Sequence, residues 1–117
     1  YISSEYCYNP VNYYSKTKLW AENLVKKYCD NYLIIRTSFV IRPFPHEKTF
    51  TDQYTRGDYL DVIAPMIVDE IKKGTTGIID IGTERKTMFE LARQTKPDIK
   101  GISVDDIKEV KLPKDYM

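Results

Sequence analysis

Residues 32–41 read YLIIRTSFVI, and this run decides the fold. Its near-continuous apolar start and β-branched residues fit a parallel strand covered on both faces. Toward the N-terminus the period changes. From about Val11 to Tyr28 the pattern is helical, with Leu24, Val25 and Tyr28 on one face and Lys16, Glu22 and Lys26 outside it. Residues 1–8 (YISSEYCY) are aromatic and β-favouring and read as a strand end running into a loop, punctuated by Asn9 and Pro10. Toward the C-terminus, residues 42–58 (RPFPHEKTFTDQYTRGD) are polar and broken by prolines, which reads as a long loop of the kind that often carries function. Leu60, Ile63, Ala64, Ile67, Val68 and Ile71 then repeat at helical spacing. Pro65 is expected in the first turn of that helix, or at a kink. Gly74 and Gly77 bracket the turn into a third strand, GIIDIG. Thr87 and Glu90 have capping-box spacing for a short helix reaching about Thr95, and Pro97 stops it. Residues 98–117 read as charged and weakly structured, with one helical turn near Asp105–Ile107. The order β–α–β–loop–α–β–α–tail predicts an α/β fold with a parallel sheet. Three strands and three helices amount to half of a doubly wound fold.

Composition narrows the chemistry. The chain has 117 residues, with 18 Lys+Arg against 17 Asp+Glu, so it holds one domain at most. Its balanced charge lacks the excess of Lys and Arg that nucleic acid requires. A content of 42% hydrophobic and 13% aromatic residues excludes a disordered chain. No apolar run approaches the roughly 18 residues of a membrane span, and the first residues lack the pattern of a signal peptide. The expectation is a cytoplasmic protein with neither nucleic acid nor membrane as partner. Cys7, Cys29 and the single His46 are too few for a disulfide framework, a four-ligand zinc site or a Ser-His-Asp triad. No metal is expected, and any chemistry falls to Tyr, Lys, Ser and carboxylates.

The sharpest local feature is Tyr14-Ser-Lys-Thr-Lys18. Residues four apart on a helix share a face. An ammonium beside a phenol favours the phenolate, and a phenol so placed can pass a proton to or from a substrate oxygen. Spacing alone equally fits a surface tyrosine stacked on a lysine stem. Context adds Ser3-Ser4-Glu5-Tyr6 at the end of one strand and Arg36-Thr37-Ser38-Phe39-Val40 at the end of the next. Ligands of open α/β sheets sit at the carboxyl ends of the strands, where Ser4, Tyr14, Lys18 and the Ser38–Phe39 turn converge.

These segments resemble the extended short-chain dehydrogenase/reductase family, and within it the dTDP-4-dehydrorhamnose reductase branch. NPVNYYSKTKLWAE is similar to that branch's Pro-x-Asn-x-Tyr-Gly-x-Ser-Lys-Leu-x-Gly-Glu segment, and YLIIRTSFV to its Arg-Thr-Ser-Trp-Val strand. FTDQYTRGDYLDV resembles its Asp-Gln-x-x-x-Pro-Thr stretch, GIIDIGTERKTMFELA its final strand and helix, and YISSEYCY its Ser-Thr-Asp-Tyr-Val-Phe strand.

The resemblance implies an NAD(P)-dependent reductase of a nucleotide-linked 4-keto-6-deoxy sugar, with NADP or NAD as cofactor and a nucleotide sugar as substrate. It makes Tyr14 the proton donor and gives Lys18 the nicotinamide ribose. Ser4 would polarise the carbonyl, and Thr37 and Ser38 would lie beside the nicotinamide. Glu5, Tyr6 and Phe39 would contact the sugar. Asp52 and Gln53 match a motif whose reading is a loop-stabilising network. A homodimer is compatible with the resemblance. An epimerase or dehydratase of the same family stays open, because Glu5 follows the catalytic hydroxyl. So does a non-catalytic binding role like that of the regulatory subunit of methionine adenosyltransferase. Two departures from the pattern stand out. The glycine-rich dinucleotide fingerprint is absent, and Ser4 and Tyr14 are only ten residues apart, where the family has a longer loop. The expectation is therefore the C-terminal part of a doubly wound Rossmann-type fold whose N-terminal nucleotide-binding half is missing. Residues 1–41 would form the catalytic strand–helix–strand, and residues 42–117 the substrate-binding loop, helices and last strand. Alone, such a piece is expected to bind NAD(P) poorly.

Overall fold

The protein is seen in a computed structural model that describes residues 1–4, 11–107, 112 and 114. β1 (Ile2–Ser4), β2 (Leu33–Thr37) and β7 (Gly77–Asp80) form a parallel sheet in the order β1-β2-β7. The register pairs Ile2 with Ile35, Ser3 with Arg36 and Ser4 with Thr37, while Ile34 and Ile35 lie opposite Ile78 and Ile79. The YLIIRT run is thus the middle strand, and Ile34 and Ile35 are buried.

α1 (Tyr13–Tyr28) connects β1 to β2. Asn12 caps it, its side-chain oxygen accepting from the Ser15 N–H at 2.9 Å and from the Ser15 hydroxyl at 2.9 Å. An N-cap of this kind satisfies a backbone donor that has no partner within the helix. α2 (Leu60–Lys72) packs Ile63, Met66 and Ile67 against Leu33, Ile35, Ile79 and Ile81. α1 meets Arg36, the neighbour of Ile35 along the strand. Side chains alternate along a strand, so the two helices cover opposite faces of the sheet. That is the two-sided cover expected of the β2 sequence.

Three expectations are corrected. Glu22 is wholly buried, whereas Leu24 and Tyr28 are 55% and 72% exposed, so the inner face of α1 is the one that carries the carboxylate. The reason is an ion pair to Arg36, described below, which a hydrophobic pattern cannot register. The presumed loop of residues 42–58 contains β4 (Lys48–Phe50), β5 (Tyr54–Thr55) and the start of β6 (Asp58–Tyr59), and β3 (Phe39–Val40) precedes it. Residues 98–107 of the tail are structured as well. β9 (Lys100–Ile102) pairs with β4, β8 (Lys86–Thr87) pairs with β5, and β3 pairs with β6. Of the two places open to Pro65, the first turn is ruled out: it is interior to α2, the sixth residue from Leu60, where its missing N–H leaves out one bond of the helical ladder.

Other expectations hold. Gly74 and Gly77, both at positive φ (73° and 94°), carry the turn into β7. The box at Thr87 and Glu90 holds by half: Thr87 accepts the Glu90 N–H at 3.1 Å at the start of α3 (Met88–Arg93), without the return bond from the Glu90 side chain. A helical turn occupies Val104–Asp106, with the full reciprocal capping box between Ser103 and Asp106. A second apolar cluster of Phe44, Ala92 and Ile99 packs with Val40, Met88 and Phe89. The hydroxyl of Tyr59, a fully buried residue, donates to the Leu91 carbonyl at 2.7 Å, tying β6 to α3.

Asp52 anchors the chain beyond β9. Its carboxylate accepts from the Ser103 hydroxyl at 2.6 Å and the Val104 N–H at 2.9 Å. These bonds, the Ser103 hydroxyl foremost, hold the Asp52 carboxyl below its ordinary value. Gln53 is buried, and its carbonyl accepts the Met88 N–H at 2.9 Å. The loop-stabilising expectation for this pair agrees with these bonds. Because the folded value is the lower one, the carboxylate contributes stability above the unfolded Asp value of about 3.9. That contribution is lost as pH falls through the folded value. Thermal unfolding below about pH 4 should therefore fall more steeply for the native protein than for Asp52→Asn. Parallel curves would remove Asp52 from this role.

Candidate active site

At the carboxyl ends of β1 and β2 lies a cleft of about 340 Å³, lined by Ile2, Ser3, Ser4, Tyr14, Lys18, Thr37, Ser38 and Phe39. Each wall has a local cause. Ser4 and Thr37 are register partners that end their strands side by side, and both are buried. Tyr14 is the second residue of α1, so the Asn12 cap fixes where its backbone starts. Lys18 follows one turn later. Its Nζ stands 5.7 Å from the centre of the Tyr14 ring and 5.6 Å from that of Tyr1, so two phenol faces hold the ammonium by cation–π attraction. Ser38 is packed from below by Gly57, where a Cβ would come within 2.5 Å of the Ser38 carbonyl oxygen. Only glycine permits that approach. Phe39 begins β3 and is 44% exposed at the cleft.

Six residues singled out in the sequence, Ser4, Tyr14, Lys18, Thr37, Ser38 and Phe39, therefore line one cavity. Glu5 and Tyr6 lie outside the described residues. The chemistry these six offer is an exposed phenol beside an ammonium, the hydroxyls of Ser4 and Ser38, and a threonine hydroxyl. Thr37 Oγ1 is buried and has no hydrogen-bond partner among the described residues, a costly state for a polar atom unless a ligand supplies one. No group of His, Cys, Asp and Glu among the described residues is placed to hold a metal ion. No described helix is long and apolar enough to cross a membrane.

Sequence reading missed what lies beneath the cleft. The Glu22 carboxylate receives the Arg36 Nη2 at 2.6 Å, the Arg36 Nε at 3.1 and 3.2 Å, and the Ser3 hydroxyl at 2.6 Å. Arg36 and Ser3 are 3% and 4% exposed. A signal was available: an arginine inside a strand covered on both faces must find an acid, because an unpaired buried charge is prohibitive. Glu22 sits at the i+4 position from Lys18 and i+8 from Tyr14, which marks it as the candidate acid.

Residues 2–76 match the RmlD substrate binding domain family. The chain belongs to this family. No curated protein matches the sequence. Among solved structures, this RmlD substrate binding domain chain is similar to a hypothetical dTDP-4-dehydrorhamnose reductase from Sulfolobus tokodaii, at 26% identity and a TM-score of 0.77, over 98% of this chain and 53% of that one. A dTDP-4-dehydrorhamnose reductase from Clostridium acetobutylicum gives 22% identity and a TM-score of 0.79, over 98% and 54%. One from Bacillus anthracis, solved in complex with NADP, gives 20% and 0.80, over 99% and 54%. The fold is therefore part of a Rossmann-like reductase fold, and the chain spans about half the length of the structures it matches.

Proposed function

We propose that this chain supplies the catalytic strand–helix–strand, residues 1–41, and the substrate-binding elements, residues 42–117, of an NAD(P)-dependent reductase. Its substrate is a nucleotide-linked 4-keto-6-deoxy sugar. The observation that carries the reading is that Ser4, Tyr14, Lys18, Thr37, Ser38 and Phe39 line one cleft. Membership of the RmlD substrate binding domain family and the likeness to dTDP-4-dehydrorhamnose reductases support the substrate class. The NADP bound to the Bacillus anthracis reductase supports the cofactor class.

The residues present fit a nicotinamide nucleotide. Lys18 is a cation with hydrogen-bond donors for ribose hydroxyls, and the unpartnered Thr37 hydroxyl with its neighbour Ser38 can meet the nicotinamide end. When bound, the reduced nicotinamide supplies hydride to the sugar carbonyl carbon. The chain's own residues do the rest. The Ser4 hydroxyl donates to the carbonyl oxygen and steadies the charge that gathers there. Tyr14 delivers its phenolic proton to that oxygen, and the Lys18 ammonium beside the ring steadies the phenolate left behind. Phe39 offers an apolar face to the deoxy sugar.

Incubation of the full-length protein with NADPH and a 4-keto-6-deoxy sugar nucleotide tests the reading. A 4-hydroxy product formed with stoichiometric cofactor oxidation supports it. An epimerised or dehydrated product without net cofactor consumption would move the chemistry to the sugar-nucleotide epimerases and dehydratases. Lys18→Met removes a charge-assisted contact worth about 1.5–3 kcal/mol. The expected result is NADPH binding weakened about ten- to hundredfold by calorimetry, together with slower turnover. Unchanged affinity would leave Lys18 as a partner of Tyr14 only.

A further inference from the structure

We infer that Glu22 is a positioning residue: through Arg36 and Ser3 it sets the rotation and height of α1 over the sheet, and so aims Tyr14 and Lys18 into the cleft. This rests on the roles proposed above for Tyr14 and Lys18. The first observation is how α1 is seated. Its buried residues are Ser15 and Glu22, seven positions apart and so on one face two turns distant. Tyr13, Trp20, Leu24 and Tyr28 are all exposed, and neither apolar cluster contains an α1 residue. The half-buried Leu19, Ala21 and Val25 give α1 its apolar contact, but such contact is non-directional and does not by itself fix how far the helix slides or turns. A guanidinium bonded to both oxygens of a carboxylate is directional.

The second observation is where the clamp grips. Ser3 and Arg36 are register partners, and each immediately precedes a cleft residue, Ser4 and Thr37. One carboxylate thus ties the helix of Tyr14 and Lys18 to the two strand positions next to the hydroxyls opposite them. Lys18 is one turn and Tyr14 two turns from Glu22, roughly 6 and 12 Å along a rigid rod, so a small rotation at Glu22 is carried to both. As a source of stability alone the pair would be a poor choice, since well-packed apolar groups of similar volume often do as well or better.

The test compares the full-length native protein with Glu22→Gln/Arg36→Met. That double variant removes both charges of the pair and keeps an acceptor for Ser3. The expected result is a melting temperature near that of the native protein, kcat lower by about a hundredfold, as misplacement on the ångström scale can produce, and KM for the sugar nucleotide little changed. Its crystal structure should show the Tyr14 ring displaced relative to Ser4. Native kcat with Tyr14 unmoved would overturn the inference and leave the pair a structural contact. Should the double variant not fold, Arg36→Lys keeps the charge but loses the planar fork, and the same measurements decide on it. If the native protein turns over no 4-keto sugar, the functional reading fails, and the position of Tyr14 in the variant crystal still decides the inference.

Discussion

Tyr14→Phe should lower the reductase rate by about 10²–10⁴-fold, the usual range for a general acid, with the fold unchanged. The substitution removes one oxygen and leaves the ring that faces Lys18 at 5.7 Å. Tyr14 is 57% exposed, so no buried contact is lost and the melting temperature should move little. The Asn12 cap bonds the Ser15 N–H and hydroxyl rather than Tyr14, so α1 starts at the same place. NADPH affinity should also hold, because Lys18 keeps its ammonium and both of its ring partners, Tyr1 and Tyr14. Steady-state oxidation of NADPH with the 4-keto sugar nucleotide measures the effect. A loss below tenfold would take the proton-donor role from Tyr14.

The frame of the fold was legible because its signals are local. The apolar run around Ile34 and Ile35, the helical period after Asn12 and the glycines at 74 and 77 each declare their element within a few residues. The cleft was legible for a related reason. Tyr14 and Lys18 share a helix face by spacing alone, and strand ends are where α/β sheets bind ligands. What stayed hidden depends on partners distant in the chain. Lys48–Phe50 is a strand because Lys100–Ile102 lies beside it, and Tyr54–Thr55 because Lys86–Thr87 does. A strand of two or three residues has no period to detect. Asp52 shows the same limit. Its purpose is visible only once Ser103 and Val104, about fifty residues later, are folded onto it.

Glu22 is the instructive misreading, and its single substitution carries the largest expected loss of stability. Glu22→Gln leaves the Arg36 guanidinium, 3% exposed, facing a neutral amide. Breaking a buried pair from one side costs about 3–5 kcal/mol, because the remaining charge loses the Glu22 carboxylate where water does not replace it. That is a large share of the 5–15 kcal/mol typical of a domain. Arg42 and Asp61 form the control. Their ion pair is 2.9 Å long, but its side chains are 45% and 62% exposed, so Asp61→Asn should cost no more than about 1 kcal/mol. Urea unfolding of the three proteins measures both differences at constant m. Equal, small losses at the two sites would mean that water reaches Arg36 in solution and that the buried clamp under the cleft is open. A large loss at Glu22 that is mostly recovered in Glu22→Gln/Arg36→Met would locate the cost in the stranded guanidinium rather than in lost packing, since the second change removes the charge without restoring any contact.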